Sequence, residues 1–270
     1  MSFDVFLGID QTGAVTKSGL PQPLPTAIVY KDGGAMWILE SDLYLPNLTR
    51  RSTESLIKDI DPRLEIEKSA IILDSALGLA KDIFPKNKNI FDLMQRAHHF
   101  SYHGKRFGEK TAHAFFAQFI EKNPAHIPQR QCEIIAHEKS VFQSHAFQKN
   151  LSTGTFRAWS ELGSASEKWF SLWPMDEAPA KGPWLFEAYP DLLWKKLVKS
   201  PTKDPVALKA FLSAQKLVKL HPSVSKSLAS IDFCDAVILA YAGLVFQKRR
   251  QLFKNPKIAS PKKEGWILGL

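Results

Sequence analysis

The chain is expected to fold as an α/β protein around one mixed sheet. Three observations predict this. Residues 1–45 read as three strands joined by turns, and short apolar runs at Ala70–Leu73 and Trp184–Tyr189 read as further strands covered on both faces. Helical periodicity fills the intervals between and after them. Hydrophobic residues make up 44% and charged residues 23% of the 270, ordinary for a globular domain, which excludes disorder of the whole chain. At this length roughly 73% of the extended surface is buried on folding. We expect a single domain over residues 1–270 carrying a mostly helical inserted subdomain at 82–181.

Taken in order, Phe3–Ile9 is apolar and β-rich and ends in Asp10. Gln11–Pro25 is rich in Gly, Pro, Thr and Ser and predicts a long turn. Ala27–Tyr30 and Met36–Leu39 flank Lys31-Asp32-Gly33-Gly34, a hairpin signal, and the third strand runs toward Leu45. Ser52-Thr53-Glu54-Ser55 predicts a helix start, with Ser52 as cap and Ser55–Ile60 following. Ala70–Leu73 gives a fourth strand ending in Asp74. The insertion shows helical periodicity in Phe91–Phe100 and Thr111–Ile120, while Ser140–Trp173 has no assignable pattern. After the strand Trp184–Tyr189, Pro190 breaks the chain. Helices are then predicted at Leu192–Val198, Pro205–Lys219 and about Ser225–Arg249, with a last edge strand at Trp266–Leu268.

Composition narrows the function. The two cysteines, Cys132 and Cys234, have no metal-ligand spacing, so a thiolate zinc site is excluded and a reducing compartment is expected. The N-terminus has no basic leader. The longest uncharged apolar run, Ala236–Phe246, is 11 residues, against about 20 for a membrane helix. A cytoplasmic location is the expectation. The formal net charge of +9 favours polyanionic partners, nucleic acid above all.

The chemistry lies in acids at the ends of apolar elements: Asp10 in Gly8-Ile9-Asp10-Gln11-Thr12-Gly13, Asp74 in Ile71-Ile72-Leu73-Asp74, Glu187 in Leu185-Phe186-Glu187-Ala188-Tyr189-Pro190, and Asp232 with Asp235 in an otherwise apolar helix. Each also has a plain reading: Asp10 as a turn residue, Asp74 as a helix cap, Asp232 and Asp235 as first-turn acids favoured by the helix dipole. At about 100° per residue Asp235 lies about 60° from Asp232, so both acids leave the main apolar stripe on one side. Clustered carboxylates repel one another, and a hard divalent cation with oxygen ligands, Mg²⁺ or Mn²⁺, resolves the repulsion. Two such ions clamp the attacking and leaving oxygens of a phosphoryl transfer. With a basic surface this points to hydrolysis of nucleic-acid phosphodiesters.

Gly8-Ile9-Asp10, three early strands and a late Asp232-x-x-Asp235-Ala236 helix resemble the RNase H-like fold, and that late element is similar to the one in RuvC-type junction resolvases. More closely, the chain resembles the family called domain of unknown function 429, predicted nucleases of RNase H-like fold. The matching pieces are Gly8-Ile9-Asp10, Leu73-Asp74-Ser75-Ala76-Leu77-Gly78-Leu79, Ser140-Val141-Phe142, Gly154-Thr155-Phe156-Arg157, Phe186-Glu187-Ala188-Tyr189-Pro190, Asp232–Ala236 and Glu264-Gly265-Trp266-Ile267. The resemblance implies Asp10, Asp74, Glu187 and Asp235 as catalytic metal ligands, with Asp232 as a further ligand.

Lys105, Arg106 and Arg157 are the expected nucleic-acid contacts, Arg157 as a loop arginine near substrate; Lys248-Arg249-Arg250 is another basic cluster. Phe156, Trp159, Trp169 and Trp173 read as core, with base stacking as the alternative. His98, His99, His103 and His113 read as a solvated face rather than a metal site. Two competing functions stand beside the nuclease. One is a non-catalytic nucleic-acid-binding module. The other is an actin-like or sugar-kinase-type phosphotransferase, whose first phosphate loop resembles Gly8–Gly13 but whose second Asp-x-Gly motif is missing after Asp32-Gly33-Gly34.

Overall fold

A computed structural model describes residues 2–270 except 12, 35, 121–127, 139, 141–148, 178–181 and 201. Thr12, Val141 and Phe142 of the motifs above therefore lie outside the described residues. Among the described residues, seven strands form one mixed sheet in the order β5-β6-β4-β1-β2-β3-β7. β1 (Val5–Ile9), β2 (Leu24–Asp32) and β3 (Met36–Leu45) make the expected antiparallel meander. β4 (Ser69–Leu73) then joins β1 in parallel, with Ile9 opposite Leu73. β6 (Trp184–Glu187) joins β4 in parallel, with Leu73 opposite Glu187. β5 (Ser171–Leu172) and β7 (Lys219–Leu220) extend the two edges.

Parallel neighbours need crossovers, and helices supply them. α1 (Arg50–Ile60) bridges β3 to β4. Its cap is Thr49, whose hydroxyl accepts from the Ser52 amide at 3.3 Å; the expected cap, Ser52, is already inside the helix. Between β4 and β6 lie α2 (Ile90–His99), α3 (Glu109–Phe116), α4 (Gln131–Ala136) and α5 (Lys149–Leu162). Then come α6 (Pro190–Leu193) with a π turn at Trp194–Val198, α7 (Pro205–Ala214), α8 (Pro222–Ser227), α9 (Ile231–Lys248) and α10 (Pro261–Glu264). The expected helix over about 225–249 is thus two, and Trp266–Leu268 is no strand but a single bridge from Ile267 to Glu187.

Strand side chains alternate between two cores. Val5, Leu7, Ile9, Ile71, Leu73 and Leu185 face the inserted helices, packing with Leu93, Met94, Phe115, Phe156 and Trp159. The insertion therefore covers one face of the sheet and shares its core. Phe6, Ala70, Ile72 and Phe186 face α9. α9 is buried on every side from Phe233 to Phe246, because the sheet lies beneath it and α6 and α7 lie over it; the single apolar stripe expected of it is not what it has. Two glycines set its depth. A Cβ on Gly8 would stand 2.0 Å from the Ala236 carbonyl oxygen, and one on Gly243 would stand 2.6 Å from Phe6 and Ile72. Gln247 bonds both backbone groups of Phe3, so α9 runs antiparallel to β1 and its N-terminus lies over the end of β1 that carries Asp10. No helix is long and apolar enough to cross a membrane.

Candidate functional site

Asp10 and Asp74 are the first residues beyond two adjacent parallel strands, and the register of those strands sets them side by side. The Asp74 amide donates to the Ile9 carbonyl at 3.1 Å, and the Asp10 amide to the Pro25 carbonyl at 3.1 Å. Burial, then the charges of Asp235 and Asp232, push the Asp10 carboxyl up to about 7. Burial, then Asp10 and Asp235, push Asp74 well above the usual carboxylate range.

The close approach of α9 at Gly8 brings in Asp235, buried at 5% exposure. Its Oδ1 accepts from the Trp194 indole at 2.8 Å and its Oδ2 from the Lys203 ammonium at 2.5 Å. Burial raises its pKa while Lys203 opposes the rise. Trp194 opens the π turn, a distortion that often accompanies functional sites. Lys203 also pairs with Asp191 at 2.9 Å; burial works against its charge, but Asp235 and Asp191 hold its pKa above the usual lysine range. Asp232 is exposed on the first turn of α9 and acts on Asp10 through its charge.

Glu187 is held elsewhere. It stands opposite Leu73 in the register, so the pleat aims it at the face of the insertion, away from α9. Both its oxygens bind Arg130, at 2.6 and 2.7 Å, and Oε2 also accepts from the Leu77 amide at 2.9 Å. Arg130 is completed by Glu133 Oε1 at 2.9 Å, Tyr189 Oη at 2.7 Å and the Glu264 carbonyl at 3.0 Å. Glu264 in turn accepts from the Lys81 and Gln131 amides. The expected fourth ligand is instead part of a buried ionic cluster that pins the 75–81 loop following Asp74.

Arg157 is not the loop residue expected of it. It lies in α5 at 1% exposure, with Nε on Glu161 Oε1 at 2.7 Å and Nη1 on the Gln22 carbonyl at 2.5 Å. It ties the insertion to the segment before β2 and offers no surface to a substrate. Lys105 and Arg106 are exposed as expected, in a turn between α2 and α3 where Arg106 donates to the His98 carbonyl at 2.9 Å. Phe156, Trp159 and Trp169 are buried, and Trp173 packs partly buried against the α9 core.

The donor chemistry of Asp10, Asp74 and Asp235 fits a hard divalent cation: all are carboxylates, and burial together with the charge of neighbouring carboxylates pushes the pKa of each upward, a crowding of negative charge that a cation would relieve. Among the described residues no three His, Cys, Asp or Glu side chains are gathered into a metal-holding group. Lys203, Asp191, Trp194 and Arg130 were not singled out by the sequence. Lys203 sits in a polar stretch without periodicity, and Asp191 after Pro190 reads as an ordinary first-turn acid. No family model, curated protein or solved structure matches the chain.

Proposed function

We propose that the protein is a metal-dependent nuclease of RNase H-like fold, akin to the domain of unknown function 429 family, that hydrolyses nucleic-acid phosphodiesters at Asp10, Asp74 and Asp235. The observation that carries this reading is the placement of Asp10 and Asp74 side by side at two parallel strand ends, where the close approach of α9 at Gly8 brings in Asp235. The antiparallel meander followed by parallel strands supports the fold assignment, and the net charge of +9 supports a polyanionic substrate. The three aspartates, with Asp232 beside them, would hold the expected pair of Mg²⁺ or Mn²⁺ ions. Bound there, the ions would supply Lewis acidity and a hydroxide-like water at neutral pH. Trp194 fixes the Asp235 rotamer, Lys203 sets a positive charge at the rim, and the Arg130–Glu187 pair keeps the 75–81 loop in place.

Lys203 also favours a second reading. An ammonium already bound to Asp235 neutralises part of the site, as suits a non-catalytic nucleic-acid-binding module. One experiment separates the two. Single-stranded, duplex and junction DNA and RNA are incubated with the protein in Mg²⁺, Mn²⁺, Ca²⁺ or EDTA. The nuclease reading requires cleavage in Mg²⁺ or Mn²⁺ that fails in Ca²⁺ and in folded Asp10→Asn. Binding without cleavage on every substrate establishes the module.

A further inference from the structure

The loop that follows Asp10 closes into a small hairpin arm. Val15 bridges Pro21, the Thr16 amide donates to the Leu20 carbonyl at 2.8 Å, and the Gly19 amide to the Thr16 carbonyl at 2.9 Å. Residues 15–19 of this arm form one wall of a groove of about 770 Å³; Tyr102 to Thr111 of the insertion form the other. A second hollow of about 410 Å³ shares Tyr102, His103, Glu109 and Lys110 with the first. The two make one track that straddles the Tyr102–His103 turn.

The track has the composition that single-stranded nucleic acid requires. Lys17 stands on one wall and Lys105, Arg106 and Lys110 on the other, all exposed, against one acid, Glu109. Among the described residues Lys17, Lys105 and Lys110 have no ion-pair partner. Tyr102 is 38% exposed and its ring meets His103 edge-on at 4.2 Å between centroids, leaving aromatic surface at the crest. Cations along a groove with an aromatic platform recognise a flexible phosphate backbone with stackable bases; a rigid duplex presents no free base face. The turn is braced from below: Tyr102 and Lys105 exchange backbone hydrogen bonds at 2.9 and 3.0 Å, and Arg106 is anchored to the His98 carbonyl.

We propose that this track binds a single-stranded nucleic-acid segment and leads it along the arm toward Asp10. The direction toward Asp10 rests on the nuclease reading above; the binding itself does not. The test therefore omits catalysis: fluorescence anisotropy in EDTA with a labelled single-stranded oligonucleotide and the matching duplex, across a salt series. The full chain should prefer the single strand. Lys17→Glu/Lys110→Glu should weaken single-strand binding about tenfold or more and make the salt slope shallower by about 1.4, at about 0.7 for each lost phosphate contact. Tyr102→Ala should weaken it about fivefold or more. The control Lys248→Glu/Arg249→Glu reverses two charges at the far end of α9, about 20 Å along the helix from Asp235, and should change neither quantity. Lys17→Gln/Lys110→Gln serves if the Glu variant melts early.

Equal or tighter binding of duplex overturns the proposal. So does an unchanged salt slope in the lysine variants, an equal loss in the control, or a Tyr102→Ala variant that binds as the wild type does. If binding follows the expected pattern but no substrate is ever cleaved, the nuclease reading falls and the track stands.

Discussion

Gly8→Ala should be among the most disruptive single-methyl changes available to this protein, and its effect can be worked from the structure. The new Cβ would lie 2.0 Å from the Ala236 carbonyl oxygen, 2.3 Å from the Ala240 amide nitrogen and 2.8 Å from the Leu239 Cβ. Carbon and oxygen settle no closer than about 3.3 Å, so α9 has to retreat by about 1.3 Å. The atoms in the way are backbone, so rotamer changes give no relief. Overpacking of this kind costs about 2–3 kcal/mol, which for a chain of this size lowers Tm by about 4–12 °C. The retreat also draws the Asp235 carboxylate from Asp10 and Asp74 by about the same 1.3 Å. A misplacement of about 1 Å costs about 100-fold in rate. The assay is thermal melting beside metal-dependent cleavage, with Gly34→Ala as control, where the nearest atom to a new Cβ is the Asp32 carbonyl oxygen at 3.8 Å. If Gly8→Ala melts with the wild type, the helix does not lie against β1 as described, and the assembly of the site by that contact is wrong.

Other expectations follow from the same geometry. With Asp10 raised from 3.8 to about 7, the folded state binds the extra proton, so metal-free protein should lose stability as pH rises from about 4 to about 7, by at most about 4 kcal/mol from this group; melts in EDTA at pH 5 and pH 8 check this, and Asp10→Asn should flatten the difference. Mg²⁺ should raise Tm more at pH 8 than at pH 5, read from the same melts with and without the ion. Arg130→Met strands Glu187 and Glu133 in the core and should cost about 3–5 kcal/mol by denaturant unfolding. Glu187→Gln should leave Mg²⁺ affinity by calorimetry within about twofold of wild type, a much smaller change than the 10–100-fold that even loss of an outer-shell partner of a metal ligand brings. Lys203→Met should tighten Mg²⁺ binding by removing a competing cation; weaker binding would mean that Lys203 does not compete for the Asp235 carboxylate.

The sheet was legible in its apolar runs, and Asp10 and Asp74 stand out because each follows one, after Ile9 and Leu73; Asp235 stands out as a charge just before the long apolar run of its helix. Glu187 followed the same rule and misled. In Trp184-Leu185-Phe186-Glu187 every position is buried, so no alternation marks which face the glutamate takes; only the pairing of Leu73 with Glu187 decides it. Arg157 misled for a different reason. Gly154-Thr155 reads as a loop because glycine weakens helices, yet Gly154 is inside α5, where a Cβ would stand 2.9 Å from the Gln11 carbonyl oxygen. A tertiary contact outweighed the local preference. Lys203 had no local signal, since its partner Asp235 is 32 residues away.

The position of α9 late in the chain sets when the site can exist. Synthesis delivers β1 and β4 early, but Phe6, Gly8 and Ile72 face the place that α9 fills, and α9 begins at Ile231. A growing chain, folding from its N-terminal side, can form the meander and stack the insertion on one face while the other stays open to water. Until residue 248 has left the ribosome, Asp10 and Asp74 have neither Asp235 above them nor a dry wall around them. Pairing across more than two hundred residues is also slow to close. The acids come together only as the last long helix docks.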